Sequence, residues 1–174
     1  MNTGTLPSRL IMLGVTLAAS FMLGACTSKP TVKNFDMTIA PQTSQKVEVD
    51  ILAVSQAEAD ELDKIDIDSY FSGGDSFRAS KAGIARTFTF NEGQNTKVTI
   101  DRKDAIWKTW GNTRPYIYIL ANSRALRASA QKGTDVRRKK IERWSNYWTQ
   151  DNFEVSIKDG GISVDPAPVM KKPE

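Results

Sequence analysis

No histidine occurs anywhere in these 174 residues, and cysteine occurs once. The first absence removes Ser–His and Cys–His nucleophilic catalysis, histidine-ligated zinc and the commonest general acid–base group. The second removes any disulfide within the chain, so stability must come from packing. Carboxylates are left as the strong metal ligands and acid–base pairs. Two ligand motifs are also missing. "YFSGGDSFR" (70–78) sets two glycines before an aspartate but has no Gly-Lys-Ser/Thr opening a long helix. "DKIDID" (63–68) lacks the turn glycine and later glutamate of an EF-hand. We expect no cofactor and no metal. Beyond residue 25 no apolar run approaches the roughly 20 residues that span a bilayer.

What is present begins with a leader. Residues 1–9 are polar with Arg9 as their only charge, and residues 10–23 are nearly all apolar or small. That order describes a secretory signal peptide over 1–25. Leu23-Gly24-Ala25-Cys26 resembles the lipobox of a bacterial lipoprotein. The resemblance implies cleavage before Cys26 and acyl chains on its thiol and new amino group, an anchor of more than one chain and therefore stable. An ordinary signal peptide followed by an unrelated thiol is the competing reading. Thr27, where an aspartate would favour the inner membrane, implies the outer membrane with the protein facing the periplasm. Residues 26–34 read as a lipidated tether, interrupted by Pro30, with a reach of about 25 Å.

Residues 35–165 have the size of one domain. Residues 35–39 open it as a strand. In "KVEVDILAV" (46–54) Val47, Val49 and Ile51 alternate with Lys46, Glu48 and Asp50. Residues 84–90 alternate likewise, and 97–100 are expected to pair with them through the turn at 91–95. "PYIYILA" (115–121) is apolar on both faces, as a central strand is. Residues 153–157 and 162–164 form a hairpin around "KDGG" (158–161). Ser55-x-x-Glu58 is a capping box opening a short helix over 56–63. Residues 103–110 and 143–148 offer two more short helices. The pattern predicts a mostly β fold, a β-sandwich of transthyretin- or immunoglobulin-like kind with short helical insertions. Residues 166–174 read as a flexible tail.

Charge is segregated along the chain. Residues 48–75 carry nine carboxylates against Lys64 alone, which reads as a solvated acidic face. Nothing selects one pair of them for hydrolysis of a glycan. Residues 124–143 carry eight basic side chains against Asp135 and Glu142. Behind a lipid anchor, nucleic acid is a poorly placed partner; anionic headgroups, peptidoglycan or an acidic protein surface are reachable. Arg124, Arg127, Arg137, Arg138, Lys139 and Lys140 are therefore the candidate partner-binding residues, with plain solvation as the competing reading. Residues 70–78 form a candidate interaction loop: Tyr70 and Phe71 anchor it, Gly73 and Gly74 take positive φ, and Asp75 pairs with Arg78. Trp107, Trp110, Trp144, Tyr147 and Trp148 are either core rings or a sugar-stacking platform. On a helix, Trp144 and Trp148 would share a face.

"YFSGGDSFR", "IWKTW" (106–110), "YIYILAN" (116–122) and "DVRRKKIERW" (135–144), behind a lipobox, resemble the outer-membrane lipoproteins of type VI secretion systems. The segment "TIAPQTSQKVEVD" (38–50) departs from that family's asparagine- and proline-rich start. The resemblance implies a non-enzymatic β-sandwich that holds the periplasmic domain of an inner-membrane protein and fixes a trans-envelope complex. Two alternatives come from the residues themselves. One is a periplasmic glycan- or peptidoglycan-binding module using the tryptophans and arginines; the other is a histidine-free carboxylate hydrolase.

Overall fold

The computed structural model describes residues 1, 31–93, 96–129 and 135–168. The leader, Cys26, tether residues 27–30, Lys132 and the end of the tail lie outside these. Within them are eight strands: β1 (Asp36–Gln42), β2 (Val47–Val54), β3 (Arg86–Phe90), β4 (Val98–Ile100), β5 (Tyr116–Asn122), β6 (Arg138–Glu142), β7 (Asn152–Lys158) and β8 (Gly161–Asp165). They form two four-stranded sheets, ordered β4-β1-β7-β8 and β3-β2-β5-β6, packed as the expected β-sandwich. Every pairing is antiparallel except β1 with β7, which runs parallel from Asp36 opposite Asn152 to Gln42 opposite Lys158.

Period-two alternation builds the space between the sheets. Met37 and Ile39 of β1, Val47, Val49 and Ile51 of β2, and Phe153, Val155 and Ile157 of β7 all meet there. Strand β5 sits between β2 and β6 and is apolar on both faces because both are covered. Ile117, Ile119 and Ala121 enter the inter-sheet core. Tyr118 and Leu120 face the other way, into a second cluster with Leu52, Val54, Leu62, Ile67 and Tyr70.

That second cluster lies under three short helices, α1 (Gln56–Leu62), α2 (Ile67–Phe71) and α3 (Ser76–Lys81). The capping box of α1 is present: Ser55 Oγ accepts from the Glu58 N–H, and Glu58 accepts from the Ser55 N–H at 2.8 Å. Asp66 and Asp75 cap α2 and α3 in the same way, each accepting from the backbone N–H three residues on at 2.7 Å. Helix α4 (Ile106–Trp110) sends Ile106, Trp107 and Trp110 into the inter-sheet core, and α5 (Arg124–Ser129) follows β5.

Three expectations need correction. Strand β4 pairs with β1, not with β3, so the chain crosses from one sheet to the other between them. Residues 70–78 are not a single glycine turn with left-handed φ at Gly73 and Gly74. Positive φ occurs among the described glycines at Gly93, Gly111 and Gly161, and the 70–78 segment is the joint between α2 and α3. Residues 143–148 hold only a 3-10 turn, Ser145–Tyr147. Trp144 has extended backbone (φ −64°, ψ 128°) and shares no helix face with the buried Trp148.

Candidate functional site

The acidic and basic stretches, far apart in sequence, meet on one side of the molecule. Helices α1 and α2 with the residues capping them carry most of the acids, and β6 with the residues before it carries the bases. Asp135 and Asp68 both accept from Arg137, at 2.8 and 2.7 Å, and Arg127 reaches Asp68 at 3.1 Å. Arg138 donates to the carbonyls of Asp63 and Ile65. Lys140 lies 3.4 Å from the Asp63 carboxylate and 4.5 Å above the Tyr116 ring. Burial works against the Asp135 carboxylate, yet hydrogen bonds from the Arg137 guanidinium and backbone N–H hold its pKa below the usual range.

Much of the basic patch is thus used inside the fold. Arg137 is 4% exposed, and Arg138 and Lys140 brace the helices against the sheet. Arg124 and Lys139 point to solvent or half to it, with no ion pair among the described residues. Ile141, two residues on from Lys139, enters the inter-sheet core, so Lys139 belongs to the same inner face of β6. It lines a 690 Å³ cleft between β6 and β8 with Lys158, Val136 and Ile162. The two sheets touch at the head of that cleft, where the Ile162 N–H donates to the Val136 carbonyl at 3.2 Å.

A second hub sits beneath residues 70–78. The Arg78 guanidinium does not pair with Asp75, which accepts from the Arg78 backbone N–H; the guanidinium Nε donates to Asp50 at 2.8 Å and its Nη2 reaches Glu48. Asp50, only 1% exposed, also accepts from the Tyr70 hydroxyl at 3.0 Å and the Thr87 hydroxyl at 2.6 Å. The guanidinium lies 4.6 Å from the Phe71 ring centre, and the group lines a 310 Å³ depression. Burial, reinforced by the Asp50 charge, drives the Tyr70 phenol upward and keeps it protonated. Both oxygens of Asp50 are engaged by donors, an arrangement suited to holding α2 and α3 on the sheet. Tyr70 is fully buried, whereas Gly73 and Gly74 are exposed.

At one end of the sandwich the chain enters the domain. The Lys33 N–H donates to the Arg143 carbonyl at 2.8 Å and the Ser145 N–H to the Thr31 carbonyl at 2.9 Å, with Val32 bridged to Trp144. Arg143 is fully buried with no carboxylate on it among the described residues. It donates to the carbonyls of Lys33, Gly111 and Arg114 and to Asn34 Oδ1, and lies 5.1 Å from the Trp107 ring. Burial pushes its pKa down to about 10. Read as part of the 124–143 charge run Arg143 is a surface base, whereas the structure buries it fully.

Three of the tryptophans are core rings. Trp107, Trp110 and Trp148 are at most 3% exposed, and their indole N–H groups donate to Asp101, Ile84 and Glu142 carbonyls. They leave no solvent-facing cluster for sugar stacking. Among the described residues no group of three or more acidic or cysteine side chains is arranged to hold a metal ion.

No protein-family model matches this chain, and no curated protein matches it by sequence. The likeness lies in the fold. A chain of a solved "Type VI membrane complex" superposes with a TM-score of 0.52 at 12% identity, covering 78% of this chain and 99% of that one. The "T6SS protein TssM C-terminal domain" structure from EAEC gives 0.51 at 9% identity, over 75% of this chain and 98% of its own. Serratia marcescens Lip, "a membrane bound component of the Type VI Secretion System", gives 0.47 at 14% identity, over 76% and 96%. The class defined by the geometry is a two-sheet β-sandwich with a helical layer bound to one sheet. This chain shares that sandwich with solved components of type VI secretion assemblies, so the resemblance noted in its sequence extends to its fold.

Proposed function

We propose that this chain is a lipoprotein anchored through acylated Cys26 to the outer membrane, facing the periplasm, and that it is a docking subunit of a trans-envelope complex of the type VI secretion kind. The observation that carries this reading is the fold shared with a chain of the type VI membrane complex over 99% of that chain. Other features agree with it. Residues 1–26 have the form of a lipoprotein leader, and no described helix is long and apolar enough to cross a membrane. The fold likeness to a TssM C-terminal domain agrees with a place in such an assembly, and the partner on this reading is the periplasmic domain of an inner-membrane protein. The role is structural, not enzymatic. On this reading Arg124 and Lys139, with Arg127, supply the charge a partner meets, and exposed Gly73 and Gly74 mark a second contact.

The test has two arms. Full-length protein should incorporate labelled palmitate in cells and lose it in Cys26→Ser. Tagged Cys26→Ser protein, used as bait on detergent-solubilised envelopes, should retain an inner-membrane protein with a large periplasmic domain. Arg124→Glu with Lys139→Glu should weaken that capture. Bait that retains no inner-membrane protein overturns the docking role.

A further inference from the structure

How the domain sits on its membrane depends on the entry of the chain. Residues 31–34 are not slack. Thr31 and Lys33 are hydrogen-bonded on either side of the Val32–Trp144 bridge, and the Thr31 and Ser145 hydroxyls lie 3.2 Å apart. The Lys33 ammonium is 2.5 Å from Asp151, and the buried Arg143 guanidinium grips both Lys33 and Asn34. The expected tether of 26–34 therefore ends at Thr31. Five residue steps separate Cys26 from that point, a covalent reach of at most about 18 Å. An acylated Cys26 lies at the headgroup boundary, so the end of the domain carrying Thr31 and Ser145 is held at the bilayer.

Trp144 stands at that end and differs from the other tryptophans. It is half-buried, and its indole N–H has no partner among the described residues. Tyr147 beside it is also half-exposed. A ring with one apolar body and one unsatisfied N–H is the side chain that settles at headgroup depth.

We propose that this end of the sandwich is a bilayer-contacting face, with Trp144 seated among phospholipid headgroups and Arg143 acting as the latch that fixes the chain entry beside it. The proposal rests on acylation of Cys26. It commits to lipid as the occupant: the short span to Cys26 leaves the opposite end, and the helical flank, for protein.

The experiment uses full-length protein purified from membranes, checked for palmitate, and reconstituted into phosphatidylethanolamine–phosphatidylglycerol vesicles containing lipids brominated near the headgroup. Tryptophan emission should fall by up to roughly a quarter, Trp144's share of four tryptophans with the other three in the core. The loss should vanish in Trp144→Phe and return when that variant also carries Asn146→Trp on the adjoining exposed turn. Palmitate present but equal quenching in wild type and Trp144→Phe overturns the lipid contact while leaving the lipoprotein reading intact. A protein seated on this end in the reconstituted complex, shielding Trp144 from bromine, does the same. Absence of palmitate overturns both.

Discussion

Arg78 and Asp50, 28 residues apart, form an ion pair at 2.8 Å on a carboxylate that is 1% exposed. Asp50 belongs to β2 and Arg78 to α3, so the pair ties the helical layer to the sheet it covers. Tyr70 from α2 and Thr87 from β3 complete the same carboxylate. Four elements thus converge on one side chain.

Breaking this pair strands a buried charge. Arg78→Met leaves Asp50 with two neutral hydroxyl donors, and we expect a loss of about 3 kcal/mol. Asp50→Asn should cost a similar amount, since it leaves Arg78 with Glu48 alone. The double variant should cost at least about 1 kcal/mol less than the two losses added together. Urea unfolding midpoints of the four proteins measure this, and simple additivity would show that the pair is not coupled.

The β7–β8 hairpin makes a sharper demand on one residue. Gly161 has φ +136°, and a Cβ there would meet the Val136 Cβ at 3.1 Å and the Val136 carbonyl at 3.3 Å. Backbone strain and crowding act together at a point where the two sheets are hydrogen-bonded. Gly161→Ala should lower stability by about 2 kcal/mol. Gly160→Ala, with nothing within 4 Å of its Cβ, is the control and should cost far less. Thermal melts of the two variants decide it.

Stability should be level from about pH 5.5 to 8, because the chain has no histidine to titrate there. Below that window the sign is set by carboxylates whose folded pKa is depressed. Backbone hydrogen bonding from Ser69 lowers Asp66, and that from Ile106 lowers Asp104. Burial opposes the shift at Glu58, but Lys81 and Ser55 still bring it below its ordinary value. Such groups contribute their full stabilisation above their unfolded values near 4 and lose it as pH falls through the folded ones. Unfolding free energy measured from pH 8 to 2 should therefore hold level, then fall below about pH 4.5. A decline already under way between pH 7 and 6 would contradict this.

The strands were legible where one face is buried and the residues alternate, as in β2 and β7, or where both are buried, as in the apolar β5. The capping box at Ser55 and Glu58 and the turn at Gly161 carry their own local chemistry. The partner of β4 was not legible, because alternation gives a strand its faces and says nothing about which edge it joins. Helices α2 and α3 are too short for a periodic signal, yet Asp66 and Asp75 each stood as an N-cap that could have marked them. The ion pairs of Arg137 with Asp68 and of Arg78 with Asp50 join residues far apart in sequence and had no local signature. Only the opposite signs of residues 48–75 and 124–143 hinted that each stretch supplies much of the other's solvation.

Arg143 presents two opposing costs, and their balance can be measured. Replacing it with methionine removes a buried charge that burial already disfavours, as its pKa near 10 records. It also strips donors from the carbonyls of Lys33, Gly111 and Arg114 and from Asn34. Each buried acceptor left unpaired costs about 1–3 kcal/mol, so the orphaned oxygens outweigh the relief. We expect Arg143→Met to lose about 3 kcal/mol, and Arg143→Lys to recover little because an ammonium lacks the planar fork. Local effects should exceed the global one. The Lys33 and Ser145 amides, bonded across this junction, should exchange with solvent well before those of β5. If both amides in Arg143→Met stay as protected as the Ile119 amide, the latch is not Arg143 and the strand pairing of residues 31–34 holds without it.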